Sequence, residues 1–219
     1  MTAPALRTLA EESTADRRKL ILDAAERSFT RAGFHRTTMQ DVAVEAGMST
    51  GNLYRYFPSK DALVAGLCER DRAGLASEFS AMRQSGGDFV AAFLELGRRH
   101  FEDSPQNQAK AKLCLEIWAE AARNPEIAAV QTEFDRMFDG ELVAAFEVAK
   151  ANGAIHPDVD VRAVASIIGK LGDGLFVRRA VAADFDAERE VAEVFAVVGA
   201  LLKGAIEFPG RGSTPECKS

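Results

Sequence analysis

The stretch that decides the fold is residues 37–60, TTMQDVAVEAGMSTGNLYRYFPSK. It opens with Thr37-x-x-Gln40, the spacing of a capping box, which predicts the start of a helix. Gly47 predicts the end of that short helix, and Ser49 predicts the cap of the next one. Phe57-Pro58 then predicts a break, because proline cannot continue a helix. Two short helices joined by a tight turn are typical of a helix-turn-helix unit. Four apolar residues of the first short helix share one face and should be buried: Met39, Val42, Ala43 and Ala46.

The second short helix is predicted to present polar residues to solvent. With about 100° per residue and Leu53 facing the core, Gly51 and Arg55 point outward. Asn52 and Tyr54 flank them. An arginine can bond guanine at two points, an asparagine can pair with adenine or a phosphate, a tyrosine hydroxyl can donate to a phosphate, and a glycine lets the backbone approach closely. These residue types suit the major groove of DNA, while a protein-binding or merely solvated face stays open on this evidence.

The helix that follows Pro58 is the fourth along the chain, after a longer helix and the two short ones. Its start offers a second kind of contact with DNA. Ser59 caps this helix and Lys60 begins it, so free backbone N–H groups, the helix dipole and an ammonium could bind one phosphate. Thr38, at the start of the first short helix, could do the same.

Residues 21–63, ILDAAERSFTRAGFHRTTMQDVAVEAGMSTGNLYRYFPSKDAL, resemble the N-terminal DNA-binding domain of the TetR/AcrR family of transcriptional regulators. The resemblance extends over residues 17–67, where many positions match the family in the same order along the sequence. It implies an all-helical homodimer with a three-helix DNA-binding head and a ligand-binding body. Arg55 lies where the family varies, which suits a residue that reads bases. Carried over by position, the DNA-contacting residues would be Thr38, Ser49, Thr50, Gly51, Asn52, Tyr54, Tyr56 and Lys60.

Helical spacing recurs along the whole chain, and strand patterns are nearly absent, so an all-α fold of about nine helices is expected. The first helix is predicted from about Arg17 to Ala32. We expect a disordered tail at residues 1–16, a helix-turn-helix DNA-binding domain at 17–62, a ligand-binding and dimerisation domain at 63–208, and a second disordered tail at 209–219.

Charge is distributed unevenly along the chain. The net charge of −6 argues against a nucleic-acid partner, because phosphate neutralisation drives non-specific binding. Residues 1–60, however, carry a net charge of +2, and the rest carries −8. A weakly basic head on an acidic body is therefore expected. No window is apolar enough to span a membrane, and the N-terminus lacks a signal pattern, so a cytoplasmic protein is predicted. The three cysteines show no C-x-x-C spacing, and neither a metal site nor a cofactor is expected.

The last two helices, predicted at about Asp158–Val181 and Asp186–Ile206, are candidates for a dimer interface. Residues 194–206 contain one charged residue, Lys203, so this helix should be buried on several sides. A four-helix isologous contact would match a palindromic operator. The alternative is that both helices are central core helices of a monomer.

The body also offers candidates for a small-molecule site. EIWAEAARNPEI at 116–127 and ANGAIHPDVD at 151–160 resemble the C-terminal domain of the betaine-pathway repressors, although a ligand does not transfer with these phrases. Mostly apolar pockets with a few polar groups are the usual ligand sites. For most of the candidate aromatic residues named below, ordinary core packing is the alternative. Arg178 could form a salt bridge across a dimer. The candidate ligand-binding residues are Phe93, His100, Phe101, Trp118, Phe134, Met137, Phe138 and Phe176.

The sequence therefore predicts a ligand-responsive DNA-binding transcriptional regulator, expected to be a repressor that a small-molecule effector releases from a palindromic operator. Its fourth helix, about Ser59 to Ala81, is the expected lever between effector and head. The effector is expected to be apolar or aromatic, with osmolytes, fatty acyl groups and drugs all open. Activation is an alternative to repression, and a ligand-carrier or interaction protein is the competing class. Enzyme signatures such as G-x-S-x-G, H-E-x-x-H and the P-loop are absent.

Overall fold

A computed structural model describes residues 3–84, 88–102 and 104–205 of the protein. This part of the chain contains helices and no strand, which confirms the all-α prediction. The helices are α1 (Ala3–Ala32), α2 (Met39–Glu45), α3 (Thr50–Tyr56), α4 (Lys60–Gln84), α5 (Phe89–His100), α6 (Pro105–Ala121), α7 (Pro125–Ala151), α8 (Val161–Val181) and α9 (Ala187–Leu202).

The first helix begins earlier than the sequence predicted. It starts at Ala3, so residues 3–16, expected to be a disordered tail, are helical. Alanine, leucine and glutamate in this segment are good helix formers. Pro4 falls in the first turn, where its missing N–H has no helical partner to lose. The predicted tail at 209–219 lies outside the described residues.

The capping box of α2 is displaced by one residue from its predicted position. Thr38 is the N-cap: its hydroxyl oxygen accepts from Asp41 N at 3.2 Å, and the Asp41 carboxylate accepts from Thr38 N at 2.8 Å. The predicted Thr37-x-x-Gln40 box is wrong, because Thr37 is buried and its hydroxyl donates to the carbonyl oxygens of Ser28 and Gly33. Two overlapping boxes fit the sequence, and burial of Thr37 selects between them.

Packing divides the chain into two compact units. The head unit comprises Met1–Gly74 and Pro105–Phe134, and the body unit comprises Leu75–Ser104 and Asp135–Ser219. These limits differ from the predicted domain boundary between residues 62 and 63, since they fall inside α4 and α7 and place α6 in the head unit. The reason is a set of apolar side chains buried in the head core: Leu113 and Ile117 of α6 and Ile127 of α7.

The core of the head unit forms around α1. Ile21, Ala25 and Phe29 recur every four residues along this helix and are buried. Leu53 of α3 and Leu63 of α4 are fully buried in the same cluster. Burial of each large apolar side chain contributes about 1.5–3 kcal/mol. This shared core fixes the short α2–α3 pair against the longer helices.

The body unit has its own apolar core. Phe93 of α5 stacks on Phe79 of α4, with ring centroids 6.3 Å apart, and meets the ring of Phe146 of α7 edge to face at 5.8 Å. Val164 of α8 and Val198 of α9 belong to the same cluster. The body is therefore held together by residues from α4, α5, α7, α8 and α9.

Candidate nucleic-acid interface

Helix α3 is held by one face and exposed on the other. Ser49 caps it by accepting from Asn52 N at 3.3 Å. Leu53 is fully buried, whereas Gly51 and Arg55 are exposed, as the helical spacing predicted. Gly47, with a φ of 65°, makes the turn before the cap, a conformation that favours glycine. The buried face and this turn present the opposite face of α3 to solvent.

The exposed face of α3 carries unused hydrogen-bonding groups. Tyr54 is 49% exposed, and Arg55 is exposed beside it. The side chains of Asn52, Tyr54 and Arg55 make no hydrogen bond or ion pair with any residue that the structure describes. This short helix thus carries an exposed guanidinium, an exposed phenol and a half-buried amide, which are groups that can hydrogen-bond base edges and phosphates. Among the other predicted contact residues, Thr38 and Ser49 are exposed, and Thr50, Tyr56 and Lys60 are half-buried.

Thr38 already uses its hydroxyl proton within the head unit. Its Oγ1 donates to Asp41 Oδ2 at 2.7 Å. The hydrogen bonds from the Thr38 hydroxyl and then from the Thr38 backbone N–H hold the pKa of the Asp41 carboxyl below its ordinary value. To donate to a phosphate, the Thr38 hydroxyl would have to leave Asp41.

The Lys60 ammonium also has partners inside the head unit. Its Nζ donates to the carbonyl oxygens of Phe34 at 2.8 Å and His35 at 3.3 Å. The same nitrogen lies 4.4 Å from the centroid of the Phe34 ring, in cation–π geometry. Since an ammonium has three protons, one remains for a phosphate. The structure therefore holds Lys60 at a fixed position instead of leaving it free in solvent.

Arg18 of α1 contacts the C-terminal end of α3, and sequence reasoning missed it. Its Nη1 donates to the carbonyl oxygen of Tyr56 at 3.2 Å, and its guanidinium lies 4.4 Å from the centroid of the Phe57 ring. This arginine therefore fixes the C-terminal end of α3 against α1. The signal was available, because Arg18 precedes Ile21 by three residues and so lies on the buried stripe of α1.

Glu45 at the end of α2 is a second supporting residue that the sequence did not reveal. Its carboxylate accepts from Arg27 at 2.8 Å and from Arg31 at 2.9 Å, both one helix away on α1. Hydrogen bonds from Arg27 and then Arg31 lower the pKa of Glu45. The pairing ties the end of α2 to α1 and engages Arg27 and Arg31 with protein.

The predicted ligand-binding residues are divided between the two units. Trp118 and Phe134 belong to the head unit, and the other six belong to the body unit. Phe93 is part of the body core. His100 is exposed and meets the rings of Phe101 and Phe176 edge to face, at centroid distances of 5.8 and 5.7 Å. Within the body unit, Phe93 and Phe138 pack in one core cluster, and Phe101 and Phe176 pack in another. Met137 and Phe138 are half-buried on α7.

Arg178, which could have bridged two subunits, pairs within the chain. Its guanidinium donates to the Glu190 carboxylate of α9 at 2.8 and 3.3 Å. The hydrogen bond and charge of Glu190 raise the pKa of Arg178. This pair ties α8 to α9 inside the body unit.

A cavity of about 570 Å³ lies in the body unit, and its lining includes none of the predicted ligand-binding residues. Its floor is apolar, from Ala145 and Ala149 of α7 and Leu202 of α9, all buried. Arg83, Asp88 and Lys203 contribute charged groups to the lining, and the Arg83 guanidinium donates to the Glu141 carboxylate. The volume is in the range of small-molecule sites. The described residues include no group of histidine, cysteine and carboxylate side chains placed to hold a metal ion. No described helix is long and apolar enough to cross a membrane.

Comparison with known proteins gives matches along most of the chain. Residues 21–67 match the family of bacterial regulatory proteins called tetR, and residues 91–203 match the C-terminal domain of the BetI-type transcriptional repressors. The HTH-type transcriptional regulator BetI of Burkholderia thailandensis is 30% identical over 167 residues, which is 76% of this chain and 83% of the relative. BetI of Serratia proteamaculans is 27% identical over 202 residues, or 91% and 95% of the two chains.

Solved structures agree with these matches. GusR of Salmonella enterica aligns with a TM-score of 0.70 and 30% identity, covering 86% of this chain and 96% of GusR. FadR of Bacillus subtilis, solved in complex with stearoyl-CoA, aligns with a TM-score of 0.68 and 19% identity, covering 86% and 99%. The second likeness bears on the fold alone.

Proposed function

Because the chain belongs to the TetR family of bacterial transcriptional regulators, with a C-terminal domain of the BetI type, we propose that it represses its target genes by binding a palindromic operator as a homodimer. A small-molecule effector bound in the body unit releases it. The observation that carries this proposal is the exposed face of α3, whose Asn52, Tyr54 and Arg55 side chains have no partner among the described residues. The protein acts in the cytoplasm, where its operator is, and catalysis has no part in this role.

On DNA, α3 enters the major groove with its exposed face toward the bases. Arg55 reads a guanine through its two parallel N–H donors, the commonest specific contact of this kind. Gly51, which has open space around it, lets the backbone approach the groove wall. The remaining predicted residues, Thr38, Ser49, Thr50, Tyr54, Tyr56 and Lys60, position the head on phosphates.

The dimer forms through α8 and α9. Val177 and Val181 are exposed four residues apart on α8, and Val197 is exposed on α9 beside Ala196. Apolar side chains at helical spacing on two adjacent helices are what an isologous four-helix contact buries. In such a dimer the two copies of α3 would lie roughly 34–36 Å apart, one turn of DNA.

The effector acts on α4, because this helix carries both a predicted phosphate contact and residues that line the body cavity. Lys60 at its start holds the position of the predicted phosphate contact, and Met82 and Arg83 near its end line the body cavity. FadR, of the same fold, was solved with stearoyl-CoA, which supports a small-molecule effector for this fold. A ligand that binds one position of α4 better shifts the population toward it. Unchanged head separation in crystals grown with and without an operator-releasing compound would contradict this role of α4.

Gel-shift assays on the DNA upstream of the protein's own gene test the proposal. The wild-type chain should bind a fragment tightly at low salt and more weakly as salt rises. Arg55→Ala should weaken specific binding at least about tenfold, in line with one lost bidentate contact. Arg98→Ala removes the same charge from an exposed ion pair on α5 and should bind like the wild type. No shift on any genomic fragment, even at low salt, would favour a ligand-carrier protein.

A further inference from the structure

The turn between α1 and α2, residues 33–37, is held by a carboxylate from α6. Phe34 N donates to Glu116 Oε2 at 2.5 Å, across 82 positions of sequence. The carboxylate lies so close to the backbone that a Cβ at Gly33 would be 3.1 Å from Glu116 Oε1. Gly33 also has a φ of 86°, so a side chain at this position would be strained as well as close to the carboxylate. A charged acceptor on a buried residue's backbone N–H is a strong and specific contact.

The same turn holds the Lys60 ammonium. The Phe34 N–H donates to the Glu116 carboxylate, and the Phe34 carbonyl oxygen accepts from Lys60 Nζ at 2.8 Å. His35 O is the second acceptor for Lys60. The backbone of Phe34 therefore lies between a negative group of α6 and a positive group at the start of α4. Thr38, the N-cap of α2, follows directly after this turn.

We propose that Glu116 is a positioning residue for DNA binding: by fixing the α1–α2 turn it places the Lys60 ammonium for its phosphate. This inference rests on the proposed function. Glu116 does not touch DNA. Without its carboxylate the Phe34 N–H loses its acceptor, the turn shifts, and the two carbonyl oxygens that orient Lys60 move with it.

The segment directly before α6 is fixed within the body unit. The Arg179 guanidinium of α8 donates to the carbonyl oxygens of Glu102 and Ser104, directly before α6 begins at Pro105. The chain passes from the body unit to the head unit at this point. Along the chain, α6 therefore follows a segment bonded to α8 of the body unit and carries Glu116 within the head unit.

Glu120 provides a matched comparison one turn further along α6. Its carboxylate lies 3.5 Å from Nε2 of His35 and 3.3 Å from Nε of Arg123. The side chains of His35 and Arg123 are 57% and 65% exposed. Exposed pairs of this kind contribute little. Glu120 therefore shares the helix and charge of Glu116 but does not bond to the turn's backbone.

The test measures binding to the upstream DNA fragment for Glu116→Ala, Glu116→Gln, Glu120→Ala and Lys60→Met, with circular dichroism as a check of folding. Glu116→Ala should weaken binding about five- to tenfold, a modest coupling between sites. Glu116→Gln should retain most of the affinity, because its amide oxygen still accepts from Phe34. Glu120→Ala should bind like the wild type. In an ¹⁵N-labelled protein without DNA, the Phe34 amide proton should move upfield in Glu116→Gln and further in Glu116→Ala.

A double-mutant cycle decides whether Glu116 acts through Lys60. In the Lys60→Met background, Glu116→Ala should cost almost nothing more. If the two losses multiply, or if Glu116→Ala binds like the wild type, the inference is wrong. If Glu116→Ala does not fold, the cycle is run with Glu116→Gln, whose smaller loss must disappear in the Lys60→Met background. Failure of the wild-type chain to bind any fragment would instead overturn the proposed function, and this inference with it.

Discussion

Arg179 of α8 donates a hydrogen bond from Nη1 to the carbonyl oxygen of Phe101 at 3.0 Å, although only 2% of Arg179 is exposed. The guanidinium also bonds the carbonyl oxygens of Glu102 and Ser104 and lies 5.3 Å from the ring centroid of Phe185. Phe101 is the C-cap of α5, where the helix dipole places partial negative charge. Backbone oxygens at the end of α5 and just after it thus accept from this buried cation.

Replacing Arg179 with methionine should destabilise the protein by about 3 kcal/mol, because three carbonyl oxygens lose their donor in or near the core. The stability of Arg179→Lys should lie between those of the wild type and Arg179→Met, since an ammonium lacks the planar fork that reaches several acceptors. Urea unfolding followed by circular dichroism measures both. Arg178→Met removes the adjacent exposed arginine and should change stability little. Equal losses at the two positions would show that burial of Arg179 is not the cause.

Periodicity could have distinguished these two arginines. Ile168, Leu175 and Arg179 follow at spacings of seven and four, which places Arg179 on the buried face of α8, whereas Arg178 is turned about 100° away. What the sequence could not show is which atoms receive a buried guanidinium. Those atoms are backbone oxygens about 75 positions away, and no local pattern encodes them.

The head shows the same division between local and distant information. The cap at Ser49, the stop at Gly47 and the buried Leu53 follow from rules that act within one turn of helix, and the structure confirms them. The choice of Thr38 over Thr37 as N-cap depends on burial of Thr37 under α1. The assignment of α6 to the head unit depends on Ile117 meeting residues some 90 positions earlier. Packing between residues this far apart in the chain cannot be predicted from one sequence.

Gly51→Ala should separate folding from DNA binding. A Cβ at Gly51 meets nothing within 4 Å, and its φ is not in the left-handed region, so alanine fits and should raise stability by up to about 1 kcal/mol. If the Gly51 backbone approaches DNA closely, the same change should weaken operator binding. Thermal unfolding and gel shifts measure the two effects.

Gly74→Ala is the matched control, because Gly74 is an exposed helical glycine of α4 with equally open surroundings. It should raise stability and leave DNA binding unchanged. Unchanged binding by Gly51→Ala as well would remove the argument for close backbone approach at α3.

Thr38→Val should raise the pKa of Asp41 toward its ordinary value of 3.8, because the hydrogen bond from the Thr38 hydroxyl is the main cause of the lowered value. A carboxyl whose pKa is lower in the folded state stabilises it fully above its unfolded pKa, and the contribution is lost as pH falls through the folded pKa. The capping box therefore helps above about pH 4 and fails in more acid solution. Titration of the Asp41 carboxyl carbon by NMR measures the shift, and Glu45, held by Arg27 and Arg31, should titrate as before.

Val197→Glu should convert the protein from a dimer to a monomer, because a carboxylate at the centre of the α8–α9 contact would have to leave water without a partner. Operator binding should weaken with it, since a palindrome needs two heads. Val148→Glu on α7 is the matched control: Val148 is 48% exposed and Val197 is 46% exposed, yet Val148 lies off the proposed interface. Sedimentation velocity should show a dimer for wild type and Val148→Glu and a monomer for Val197→Glu. A dimer in all three would place the subunit contact elsewhere on the chain.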